Sequence, residues 1–248
     1  MGKKKTGRQT KRLKLQSERE KAKRTGRLMG YTLAVIVAAF VLLIVINAVS
    51  GPQAGKPVDE AVFQYEKQPA LGSPDAPVKI VEFADFKCPA CKYFDQNILP
   101  QLKQEFIDNG TVQLFFVNYP VISPDADSRT AAMAGEAVYH QNPEAFWKFY
   151  EAVFDQQGDE NTHWATSDAL AAIAKQANLQ IDVDKLKKEI DDNTFAKDVK
   201  DDEAIVRKLG VTGTPTLFIN GRAVPEKETF NYNAVKAMIL KAQGETRQ

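Results

Sequence analysis

The 248-residue chain has two cysteines, three positions apart as Cys88-Pro89-Ala90-Cys91, immediately behind the apolar run at 78–83. That order dictates the local fold. A strand-length apolar run must turn into a helix at the dithiol, and Pro89 suits the first helical turn, where its missing N–H would have had no partner. A bridge across so short a loop removes little entropy from the unfolded chain, so the pair is a working dithiol rather than a staple. Residues three apart share a helix face, which lets Cys88 in the first turn meet Cys91 one turn deeper. The two sulfurs are then unequal. Cys88 faces the unpaired N–H groups and positive dipole end of the helix, which favour a thiolate, and becomes the attacking sulfur. Cys91, covered by the preceding turn, becomes the resolving thiol. Zinc would need about four ligands, and the chain adds only His140 and His163, at no ligand spacing. A cysteine-protease reading would use one of these histidines as base and leave the second cysteine without a purpose.

Charge divides the chain. Residues 1–49 carry twelve Lys or Arg and two Asp or Glu, a balance of +10, while the remainder carries −9. No charge occurs between Arg27 and Lys56, and residues 28–49 are almost wholly apolar. Twenty-two helical residues reach about 33 Å, enough for a hydrocarbon core of about 30 Å. The expected organisation is a basic cytoplasmic segment at 1–27, a single transmembrane anchor at 28–49 embedded in the lipid bilayer, and a Gly/Pro-containing tether at 50–60. The positive-inside rule then places the domain at 61–248 outside the cell membrane, where a dithiol can be oxidised. The alternative for 28–49 is a signal peptide cleaved near Ser50, at Ala48-Val49-Ser50, which would make the protein secreted; its apolar core is longer than the usual 7–15 residues. The basic run before a span reads as a topology signal rather than a nucleic-acid site.

Beyond the tether, 78–83 reads as a buried strand, 90–106 as a helix bent near Pro100, and 112–117 as a second strand. From about 123 to 194 the period is helical. Phe146, Phe149, Tyr150, Val153 and Phe154 form one core stripe; Leu170, Ile173, Ala174 and Ala177, behind a Ser167 cap, form another; Val183, Leu186 and Ile190, behind Asp182, form a third. Trp147 and Trp164 are assigned to the same core. A helix at 195–209 stops at Gly210, and 216–219 with 222–224 form a hairpin about Asn220-Gly221 before a last helix at 233–243. This is an α/β domain whose sheet is interrupted in sequence by helices. The acidic residues Asp182, Asp184, Asp191, Asp192, Asp198, Asp201 and Asp202 lack EF-hand spacing and read first as a solvated helix face, with a structural Ca²⁺ as the alternative. Asn109-Gly110-Thr111 is a turn before it is a glycosylation sequon.

Three features resemble the thioredoxin-fold disulfide oxidoreductases, and within them the DsbA-like family in its Gram-positive, membrane-tethered, BdbD-like type. They are Val-Glu-Phe-Ala-Asp-Phe-Lys-Cys-Pro-Ala-Cys at 81–91, Gly-Thr-Pro-Thr at 213–216, and the helical insert between them. The resemblance implies a thioredoxin-like fold with an all-helical insert, a cis Thr214–Pro215 bond against the sulfurs, and a Thr214 backbone that offers strand-like hydrogen bonds to substrate. By residue pattern alone, 213–216 would be an ordinary trans turn. Glu82, six residues before Cys88, matches the family's buried acid, which could take the proton of Cys91; alternation also allows an exposed edge position. Ala90 stands where strongly oxidising relatives of Gram-negative bacteria carry His. Losing that imidazole stabilises the Cys88 thiolate less and makes the disulfide a weaker oxidant.

The expected function is a membrane-anchored thiol-disulfide oxidase that forms disulfides in exported proteins with free thiols, through a site of Cys88, Cys91 and Glu82 with Pro89, Ala90, Thr214 and Pro215. The dithiol is the only redox group required and no metal belongs to the site. The resemblance implies a DsbB-like, quinone-linked membrane partner that reoxidises the pair. A monomer is the default. A reductase or isomerase using the same dithiol is the enzymatic alternative, and a non-catalytic chaperone or assembly module is the alternative of another class.

Overall fold

The computed structural model describes residues 57–246, together with residues 36–37. The basic segment, nearly all of the anchor and the tether up to residue 56 lie outside the described residues. Among the described residues no helix is long and apolar enough to cross a membrane.

From residue 57 onward the chain builds a five-stranded sheet in the order β1-β3-β2-β4-β5, where β1 is Ala70–Leu71, β2 Val78–Ala84, β3 Val112–Asn118, β4 Thr216–Ile219 and β5 Arg222–Ala223. β2 lies parallel to β3 and antiparallel to β4, so it is hydrogen-bonded on both edges. Its alternation sends Val78 and Ile80 into a large core on one face and Val81 and Phe83 into a smaller one on the other. That two-sided burial explains the near-continuous apolar run. Helices cover both faces, giving an α/β/α sandwich.

α1 (Pro89–Asn97) follows β2 and starts at the dithiol. The expected bend near Pro100 is an interruption: α1 ends at Ile98, α2 (Leu99–Leu102) resumes, and a π-helical turn at Lys103–Ile107 completes the segment. Pro100 cannot donate to the carbonyl of Gln96 and its ring crowds that oxygen, which breaks the hydrogen-bond ladder one turn earlier. After β3, the helical insert comprises α3 (Asp127–Gln141), α4 (Phe146–Asp155), α5 (Ser167–Gln176) and α6 (Val183–Asp191). The α4 stripe of Phe146, Phe149, Tyr150, Val153 and Phe154 is fully buried, as are Leu170, Ala174 and Leu186. Val183 and Ala177 are only half-buried at the ends of their stripes. The cap of α5 is Thr166 rather than Ser167, since the Thr166 hydroxyl accepts the Ala169 N–H while Ser167 is already helical. Asp182 caps α6 by accepting from Lys185 N–H.

α7 (Ala196–Leu209) returns across β3 and ends at Gly210, φ +66°. The hairpin between β4 and β5 turns through Asn220 and Gly221 at φ +41° and +73°, a left-handed pair that Asn-Gly accommodates. Val58 N–H donates to the Gly221 carbonyl at 2.9 Å, fastening the end of the expected tether to this hairpin. α8 (Glu226–Thr229) and α9 (Tyr232–Thr246) close the domain, with α9 packed on β2 and β4.

Candidate active site

The turn from β2 into α1 is held from beneath by Asp85. Its carboxylate accepts the N–H groups of Lys87, Val121 and Ile122 at 2.8–2.9 Å and the Ser128 hydroxyl at 2.9 Å. Lys87, 1% exposed, buries its ammonium against Asp127 at 2.7 Å and the Thr162 carbonyl at 2.8 Å. Gln157, just beyond α4, donates to the carbonyls of Phe86 and Cys88. The helical insert therefore clamps the loop that carries the dithiol. Sequence reasoning missed Asp85, Lys87, Asp127 and Gln157, because their partners stand roughly forty to seventy residues away.

Cys88 is the N-cap of α1, with extended backbone, and makes no side-chain cap bond, which leaves its sulfur facing the first-turn N–H groups. Cys91 is fully buried one turn on and Cys88 is 5% exposed; both are free thiols. The Cys91 S–H donates to Cys88 and, against the opposing effect of burial, draws the Cys88 thiol down to about 6, helped by the N–H groups of Cys91 and Ala90. Burial, the hydrogen bond to Cys88 and the charges of Cys88 and Glu82 push Cys91 well above the ordinary thiol range. The Thr214–Pro215 bond is cis, and the Thr214 carbonyl lies 3.4 Å from Cys88 Sγ. Cys88, Pro89, Ala90, Thr214 and Pro215 thus come together where β2, α1 and β4 converge.

Glu82 lies in the central strand, fully buried, so the exposed-edge position does not arise. Burial raises it to about 8; the Tyr150 hydroxyl, donating at 3.0 Å, opposes the rise, and the charges of Asp95 and Cys88 add to it. Tyr150 was legible only as part of a core stripe. Asp95, on α1 one turn after Cys91, was not singled out at all; it is 7% exposed and is raised to about 7 by burial and by Glu151 and Asp155. The site combines a thiolate former at the helix start, a fully buried thiol and a buried carboxyl able to hold or release a proton near neutrality.

Residues 64–240 match the family described as Thioredoxin. A Bacillus cereus protein named probable disulfide bond formation protein D is 40% identical over 188 residues, covering 75% of this chain and 86% of that one. The chain belongs to the DsbA-like disulfide bond formation protein D family. The family's Bacillus subtilis member, named disulfide bond formation protein D, is 39% identical over 174 residues, covering 70% of this chain and 76% of its own. The crystal structure of oxidised BdbD from Bacillus subtilis superimposes with a TM-score of 0.70 at 36% identity, covering 78% of this chain and 99% of that one. As a member of this family the chain is a thiol-disulfide oxidoreductase whose Cys88 and Cys91 form the C-x-x-C pair.

In this disulfide bond formation protein D relative, the solvated-face reading holds for Asp182, Asp184, Asp191 and Asp192, which are exposed, whereas Asp202 is buried. Asp191, Asp192 and Asp201 pair with Lys187, Lys188 and Lys197 on their own helices. Among the described residues no three His, Cys, Asp or Glu side chains gather as metal ligands. The residues that could hold a hard cation are the buried Glu136 and Asp202 with Asn118, whose Oδ1 has no hydrogen-bond partner. Burial and the neighbouring Asp202 push Glu136 well above the usual carboxylate range, as expected of two carboxyls enclosed together.

Proposed function

We propose that the protein is an extracytoplasmic oxidase, anchored by residues 28–49, that introduces disulfides into exported proteins. The observation that carries this is the inequality of the two sulfurs, with Cys88 drawn down to about 6 and Cys91 pushed up. A substrate thiolate attacks Cys88 Sγ of the Cys88–Cys91 disulfide; a new S–S bond forms, the old one breaks, and Cys91 leaves, taking a proton from Glu82. The substrate's second thiolate then attacks its own sulfur in the mixed disulfide, and Cys88 leaves as the stabilised thiolate. The substrate has lost two electrons and the protein has gained them. A quinone-linked membrane partner of the DsbB-like kind accepts those electrons, with Glu82 receiving the proton that Cys91 gives up.

Thr214 presents its backbone beside Cys88, which suits an extended substrate segment. The test is labelling in intact cells with a membrane-impermeant maleimide after the reoxidising partner is removed. Reduced Cys88 should label from outside, and a Cys88→Ser variant should neither label there nor oxidise a reduced exported protein. Labelling only after the cells are opened would contradict the extracytoplasmic assignment.

A further inference from the structure

Beside the dithiol opens a cavity of about 500 Å³. Ala90, Thr214 and Pro215, from the segments next to Cys88, line it together with Glu226, Thr229 and Phe230 from α8 and its end. Glu226 supplies the only charge among the described lining residues, and among the described residues its carboxylate has neither an ion-pair nor a hydrogen-bond partner. Thr229 is 1% exposed, and its hydroxyl oxygen also lacks a partner. Phe230 is 37% exposed and stacks edge-on with Tyr93, 49% exposed, at 5.8 Å between ring centroids. An exposed aromatic face next to an unpaired carboxylate suits a long cationic side chain, with its stem on the ring and its head at the acid.

We infer that this cavity receives a lysine or arginine side chain flanking the reactive cysteine of the substrate, with Glu226 as its ionic partner and Phe230 as its apolar support. The inference depends on Cys88 being the sulfur that substrate attacks. It makes the protein selective among thiol segments, favouring those with a basic neighbour, and the same cation lowers the pKa of the substrate thiol it accompanies.

The test uses the full oxidised chain and two dithiol peptides that differ only in a Lys or Gln beside the first cysteine. Their rates of oxidation are divided by their rates with oxidised glutathione, which removes the intrinsic effect of the charge on the thiol. The corrected Lys/Gln ratio should be about two- to fivefold, the range of an exposed ion pair, and should shrink toward one in high salt. Glu226→Gln should abolish the preference, Glu226→Asp should restore part of it, and Glu226→Lys should reverse it. Equal ratios for the wild type and Glu226→Gln, with both peptides oxidised, would overturn the inference and leave the oxidase standing. Failure of the wild type to oxidise either peptide would overturn the oxidase reading, and this inference with it.

Discussion

Cys88 and Cys91 are three positions apart in sequence and opposite in electrostatic surroundings. Cys88 receives the Cys91 S–H and the first-turn N–H groups, whereas Cys91 sits in the core above a buried acid. Alkylation of the reduced protein by iodoacetamide should therefore reach half its limiting rate near pH 6, with Cys91 unmodified in the folded state. A half-point in the ordinary thiol range near pH 8.5 would contradict the assignment. Glu82 makes a second prediction. Its folded-state value lies above its ordinary 4.5, at about 8, so the folded protein holds a proton that the unfolded chain has lost across that window. Stability on this account is greatest below about 4.5 and declines as pH rises toward about 8. Glu82→Gln should flatten that slope, stabilise the protein at neutral pH by about 3 kcal/mol, and slow resolution of mixed disulfides; urea titrations at several pH values and stopped-flow exchange measure these effects. The dithiol and Glu82 were legible because their spacing is local. Tyr150 was not, because a hydroxyl aimed at Glu82 from 68 residues away has the same helical period as its apolar neighbours.

The strand–turn–helix of β2 and α1 depends on contacts that the helical insert supplies. Lys87 and Asp127 form a buried ion pair that joins the residue before Cys88 to the start of α3. Removing one partner leaves an uncompensated charge in the interior, so Asp127→Ala should cost about 3–5 kcal/mol, read from the urea midpoint. It should also broaden the amide signals of the active-site turn. A change below about 0.5 kcal/mol, typical of a surface substitution, would mean that the pair does not anchor the loop. The long elements were readable in the sequence because each has a sustained period and a local stop, as at Gly210 and Asn220-Gly221. β1 and α8, of two and four residues, lack the length to show a period, and tertiary packing alone forms them. The interruption after Asn97 was half-legible: Pro100 announced a disturbance, but not the π-helical turn that follows it.

At the scale of the molecule, a basic, apolar N-terminal portion precedes an acidic domain in which a helical insert closes over a thioredoxin-like sheet. The family and fold could be read from two short motifs and the helices between them. The direction of electron flow could not, because it is set by how strongly the folded protein favours the Cys88 thiolate over the disulfide. Ala90 brings no imidazole to that balance. Stabilisation comes instead from the Cys91 S–H and backbone N–H groups, none of which needs a charged side chain. The decisive measurement is the reduction potential of the full chain, equilibrated against glutathione and read by thiol trapping. An oxidase with this degree of thiolate stabilisation should lie between about −180 and −120 mV, in the range of protein disulfide isomerase and DsbA. A value near the about −270 mV of thioredoxin, or below it, would make the protein a reductant and contradict the proposed function.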